Sequence, residues 1–241
     1  MEKERETISA DVINAIALDI DCAAVAVKME DVQEIIVEAE VEPDAEYANE
    51  ISGDKLRIRY QQWRHGEKHI IKDTDTSHIT VTLPRGKKLT VFELKLGAGS
   101  ASLQETDLWC EKISIETGAG KVKTGKIMAD ERVDVEIGAG SVEIRDVQTK
   151  ALNVECGVGQ FGMHGKVQNG LNVECGVGHC DIDLEGKEAD YNYDVSCGIG
   201  KVSVNGNRMS GIGSTHTRNN PDAQGNVKVS CGLGKVIIKI S

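Results

Sequence analysis

Aromatic residues make up only 3% of the chain, with two Trp, four Tyr and two Phe among 241 residues, and Pro occurs three times. A globular enzyme of this length usually buries several large rings. The core must therefore be filled by smaller, more uniform side chains, and an apolar content of 39% supplies them. The length fits one large or two small domains. No run of about 18 apolar residues occurs, so no segment is expected to span a bilayer as a helix. The opening MEKERETISADV is charged and lacks an apolar stretch, so no signal peptide is expected in this sequence. An excess of basic charge is missing as well. The formal net charge of −11 argues against nucleic acid or an anionic membrane surface as the main partner. Seven Cys are present, but an odd number with no C-x-x-C pair is not the framework of a small disulfide-rich secreted domain.

Glycine is plentiful, and its placement is periodic. Gly-x-Gly stands in register at Gly97-Ala-Gly99, Gly118-Ala-Gly120, Gly138-Ala-Gly140, Gly157-Val-Gly159, Gly176-Val-Gly178, Gly198-Ile-Gly200 and Gly232-Leu-Gly234. The first glycines are 21, 20, 19, 19, 22 and 34 residues apart, and LNVECGVG is spelled identically at 152–159 and 171–178. Aligned on the glycines, Leu94, Ile115, Val135, Val154, Val173, Val195 and Val229 form one apolar column. Phe92, Ile113, Val133, Leu152, Leu171, Tyr193 and Val227 form a second. Past the turn, Ala101, Val122, Val142, Phe161, Cys180, Val202 and Val236 form a third, followed by Leu103, Thr124, Ile144, Met163, Ile182, Val204 and Ile238. The residues between are mostly polar, so both flanks of each glycine pair are strands with one buried face.

Two short strands and a glycine corner every ~20 residues describe one rung of a repeat whose apolar face is buried only by stacking. The expectation is an all-β, single-stranded parallel β-solenoid (β-helix) with ~20-residue rungs turned at Gly-x-Gly corners. Seven such rungs at about 4.8 Å make a rod about 30 Å long, with an interior better suited to Val, Ile, Leu, Ala and Cys than to rings. Residues 1–90, with INAIALDI, EIIVEAEV, KLRIRY and HITVTLP, are expected to form irregular rungs capping one end. Residues 91–241 are expected to form the regular part of one continuous domain, interrupted by a loop insertion at 205–226.

The Gly-x-Gly spacing, the preceding L-P-x-G-x-x-L of Leu83, Pro84, Gly86 and Leu89, and the late insertion resemble the bacterial "putative adhesin" β-solenoid family, a domain of unknown function. The resemblance covers most of the chain and is strongest over 79–240. It implies a non-enzymatic adhesin or interaction scaffold at the cell envelope, with a protein or glycan partner. Family members are often displayed outside the cell from an N-terminal membrane helix, and some are linked to envelope-stress signalling. The family has no established catalytic residues to carry over. This chain departs from it in its cysteines and in showing no such anchor, which keeps a cytoplasmic placement open.

Chemistry-bearing residues fall into a few groups. The column before the first glycine runs Leu96, Thr117, Ile137, Cys156, Cys175, Cys197, Cys231. Cysteine there replaces Leu and Ile, so the four are expected to be core thiols. A disulfide between neighbours and a metal held by two of them are the alternatives, since sulfurs in one ladder point the same way. The outward column beside them holds Glu116, Glu136, Glu155 and Glu174. Stacked carboxylates repel, so they should have raised pKa values, neutralising partners or a bound Ca²⁺; a solvated acidic stripe is the plainer expectation. Trp63 and Trp109 are the aromatic candidates for stacking on a glycan, against packing at an end of the rod for Trp63. Asp181 and Asp183 alternate outward on one strand, the one hint of a polysaccharide-acting enzyme. His65, His69, His164 and His179 show no metal-site order. GVGQFG at 157–162 spells G-x-G-x-x-G and GKVKTGKI at 120–127 nearly a phosphate loop, but each is followed by a strand where a nucleotide site needs a helix N-terminus. No cofactor is expected. Finally, the apolar C-terminal KVIIKIS is expected to be an open edge through which rods could join end to end, as in a polymerising scaffold.

Overall fold

The computed structural model describes residues 1–62, 77–208 and 213–241. Trp63, His65 and His69 lie outside the described residues. The N-terminal part forms β1 (Glu2–Ser9), β2 (Ala15–Glu30), β3 (Glu34–Val41), β4 (Glu46–Ser52), β5 (Lys55–Gln61) and β6 (His78–Pro84). Four long strands follow, β7 (Lys88–Thr117), β8 (Lys121–Ile137), β9 (Ser141–Cys156) and β10 (Gln160–Cys175). The chain finishes with β11 (His179–Leu184), β12 (Tyr191–Cys197), β13 (Lys201–Val204), β14 (Asn207–Arg208), β15 (Ser214–Arg218), β16 (Gly225–Cys231) and β17 (Lys235–Ile240). One 3₁₀ turn, Glu188–Asp190, precedes β12. All strands among the described residues belong to one open sheet, and the fold is all-β and solenoid-like.

The long strands pair in parallel, and each bends where its pairing breaks. β7 meets β8 over Ser100–Leu103, Asp107–Cys110 and Lys112–Thr117. Like residues then fall beside like: Ile115, Val135, Val154 and Val173 are successive partners, as are Val122, Val142 and Phe161. These columns point inward, and Ile115, Val135, Val154 and Val173 are at most 3% exposed. A single buried cluster runs from Ile8 to Ile238. Few rings are needed because each winding contributes aliphatic side chains to its own layer.

The stacking order is not the sequence order. β10 and β11 pair with β16 and β17 over Gly170–Cys175 and His179–Leu184. On their far side, β16 and β17 pair with β12 and β13. The last winding made is thus inserted between two earlier ones. The corner amides give the same order: Gly232 donates to the Cys175 carbonyl and Gly198 to the Cys231 carbonyl, both at 2.8 Å. Lys235–Ile238 is therefore paired along both edges, which overturns the expected open edge at KVIIKIS. Nor is the insertion all loop. β15 lies antiparallel on the outer edge of β12, and β14 on that of β13.

The same interleaving occurs at the other end. β2 lies between β7 and the pair β5 and β6, all parallel to it. Antiparallel strands close this end, β4 on β5, and β3 then β1 on β6. The outermost strand β1 is charged and exposed, with Lys3 and Arg5 paired to Glu40 and Glu38 at 3.5 and 3.6 Å. Charges of this kind discourage pairing with another chain.

Glycine at the corners answers to close approach between windings. A Cβ on Gly138 would lie 2.9 Å from the Gly118 carbonyl oxygen, and one on Gly157 the same distance from that of Gly138. At the second glycine the obstruction is also a side chain. A Cβ on Gly120 would lie 2.6 Å from Leu96 Cδ2, and one on Gly159 2.5 Å from Ile137 Cγ2 and 2.3 Å from the Gly140 oxygen. Leu96 and Ile137, the inward residues before their corners, thus sit under the second glycine of the next winding. Gly159→Ala should destabilise by about 1–3 kcal/mol in urea unfolding. Gly162→Ala, with nothing within 4 Å of its added Cβ, should be neutral or slightly stabilising. Ile238, fully buried between Ile182 and Val204, should cost about 2–5 kcal/mol when changed to Ala, as much as mid-stack Ile144. A much smaller loss would be the signature of a frayed end.

Candidate functional site

The middle residue of each Gly-x-Gly corner points away from the core. In stacking order the column reads Ala98, Ala119, Ala139, Val158, Val177, Leu233, Ile199. The last four are among the few large apolar side chains left exposed, at 67%, 55%, 60% and 71%. They stand on adjacent windings about 4.8 Å apart, so together they form a continuous aliphatic ridge. Sequence reasoning passed over this column. Its enlargement from Ala to Val, Ile and Leu was visible, but the exchanged order of the last two windings hides how closely Leu233 follows Val177.

Beside the ridge runs the acidic column, with Glu116, Glu136, Glu155 and Glu174 as successive partners and Ser230 next. Glu116 has a neutralising partner in Lys95, Oε2 to Nζ 2.5 Å. Glu136, Glu155, Glu174 and Ser230 line one wall of a groove of about 480 Å³. Their carboxylates are not gathered around a point. Among the described residues, one group of three or more His, Cys, Asp or Glu brings its ligand atoms within 4.8 Å of one another, and it consists of Cys156, Cys175 and Cys180.

The thiol column lies on the other side of the same corner, inside. Stacking order makes it Cys156, Cys175, Cys231, Cys197, each at most 3% exposed and none in a disulfide. Cys180 joins it from the strand after the corner and is fully buried. Sequence reasoning placed Cys180 in the third apolar column without seeing that it faces Cys156 and Cys175. The Cys175 thiol is the most easily ionised of the three, chiefly because the Cys156 and Cys180 thiols beside it favour its ionised form. Cys156 is pushed up chiefly by its bond to Cys175, and Cys180 by its bonds to both. Burial first, then the charge of Cys175, raises Cys231 to about 12.

Trp109 is 42% exposed, but its ring is engaged. Its Nε1 donates to Asp130 Oδ1 at 3.0 Å, and Lys88 Nζ lies 4.8 Å above the ring while pairing with Asp130 at 2.6 Å. One face is thus covered by a cation rather than open for stacking. Asp183 is held by His164, Nδ1 to Oδ2 3.4 Å, whose other ring nitrogen faces Glu185 at 3.3 Å. Asp181 lies between Gly162 and Ile237 in the ladder. GVGQFG and GKVKTGKI both run into strands, β10 and β8, as expected. In native protein a bulky thiol reagent should label Cys22, the one half-buried cysteine, and reach the other six only after denaturant is added. Fast labelling of all seven would contradict the buried column.

Comparison with curated proteins finds no match. Among solved structures, a "putative cell adhesion protein" from Clostridium sporogenes shares 14% identity at a TM-score of 0.45, covering 100% of this chain and 99% of its own. A "putative adhesin" from Bacteroides fragilis shares 13% at 0.45, covering 98% and 97%. A "putative lipid binding protein" from Parabacteroides distasonis shares 13% at 0.45, covering 100% and 96%. The repeated corner and its flanking strands are matched as a whole by one family description, Toastrack DUF4097, over residues 13–232, and the chain belongs to that family.

Proposed function

We propose that the chain is a non-enzymatic, adhesin-like interaction scaffold of the bacterial cell envelope. In this reading the windings are rungs of a parallel solenoid, about 20 residues each and turned at Gly-x-Gly. The N-terminal antiparallel strands and the insertion at 205–226 close its two ends within one domain. The observation that carries the proposal is the ridge of Val158, Val177, Leu233 and Ile199, at 55–71% exposure along the stacked corners. Exposed apolar side chains in contiguity mark interaction surfaces in soluble proteins. Covering these four would contribute on the order of 5 kcal/mol before the entropy of association is subtracted. The adjoining carboxylates of Glu136, Glu155 and Glu174 favour a protein or glycan surface carrying positive charge beside an apolar strip.

The test uses purified chain on envelope fragments of the producing cells. Val158→Ser, Val177→Ser, Ile199→Ser and Leu233→Ser combined should leave unfolding unchanged and weaken binding at least about 10-fold. Equal binding by the variant would remove the ridge from the proposal. Protease added to intact cells should digest the chain; protection until lysis would move it to the cytoplasm.

A further inference from the structure

We propose that Cys156, Cys175 and Cys180 form a binding site for one soft, thiophilic d¹⁰ cation, with Cu(I) as the type. Their sulfurs lie within 4.8 Å of one another, and three sulfurs bound at about 2.3 Å to one trigonal ion would stand about 4 Å apart. A small contraction therefore completes the site. Cys156 and Cys175 come from adjacent windings and point the same way, which alone would offer an ion two ligands on one side. Cys180, two residues past the second glycine of the corner, supplies the third from a different strand.

Two features favour metal over inert packing. Valine fills the Cys180 column at Val122, Val142, Val202 and Val236, so packing alone did not call for sulfur there. The donor set is all sulfur, which selects soft cations over Ca²⁺ or Mg²⁺.

The corner also sets the coordination number. A Cβ on Gly178 would lie 2.6 Å from Cys156 Sγ, and one on Gly234 the same distance from Cys175 Sγ. With backbone pressed so closely on two of the sulfurs, there is little room for the water that a three-thiolate zinc ion would take as its fourth ligand. Three-coordinate Cu(I) needs none. Binding replaces thiol protons with metal–sulfur bonds and releases those protons to solvent, with no change in oxidation state.

The test uses the full chain with Cys22→Ser, so that the half-buried thiol cannot contribute, reduced and equilibrated with Cu(I) under anaerobic conditions against a chromophoric Cu(I) chelator. One equivalent should be withheld from the chelator per chain, with ultraviolet thiolate-to-metal absorption. Adding Cys180→Val, the residue that column accepts elsewhere, should weaken retention at least about 10-fold while the far-ultraviolet spectrum and unfolding midpoint stay close to the parent. Adding Cys197→Val instead should leave retention unchanged. The proposal is overturned if no Cu(I) is withheld, if Cys180→Val retains it as well as its parent, or if the chain withholds Zn²⁺ and not Cu(I).

Discussion

At every regular corner, the carbonyl oxygen of one winding occupies the place where a side chain on the next would begin. The rest of the structure depends on that contact. It obliges glycine at the first corner position, brings the amide of one corner into hydrogen-bonding distance of the corner beneath, and thereby sets the register of both flanking strands. Once the register is set, alternation sends the same residues inward on every winding, and columns of like side chains follow. The second glycine adds a socket: Leu96, Ile137, Cys156, Cys175 and Cys231 each have their side-chain ends under the second glycine of the neighbouring winding.

Much of this was legible because it is written in short spacings. Alternation of period two, the glycine pairs and their distances are properties of about 20 consecutive residues, and the pairs Val135 with Val154 and Glu136 with Glu155 follow from them. Stacking order is different. Nothing within 225–240 says whether it pairs with 191–204 alone or slips between that winding and 170–184, because the inward residues Val227, Val229, Val236 and Ile238 suit either place. The convergence of Cys180 on Cys156 and Cys175 was unreadable for a related reason. It depends on the angle at the corner, and residues 175 and 180 flank that corner on strands that sequence pattern treats separately. Lys88 over Trp109 was unreadable too, since the ring and its cover lie on adjacent windings 21 residues apart.

The corner divides labour between its two sides. Outward, the middle residue is free of packing demands, and Ala, Val, Leu and Ile all occur there without disturbing the backbone. Inward, the residue before the corner must fit beneath a glycine, and Cys fits where Leu and Ile also do. Surface character and interior chemistry can therefore change independently on one unaltered frame. In this chain both change in the same half of the stack, where the ridge becomes large and the thiols gather.

The winding of β16 and β17, last in the sequence, is not the last in the stack. In a stack that follows sequence order, the first and last repeats have one neighbour each and open first, so thermal motion and peptidases eat inward from the ends. Here the β16–β17 winding has neighbours on both sides, and the outer place goes to β12 and β13, which come earlier in the chain. The winding 191–204 rests on residues that follow it in the sequence. The segment that sequence order would leave easiest to peel away instead holds its neighbours together, since β12 and β13 have their parallel partners in it.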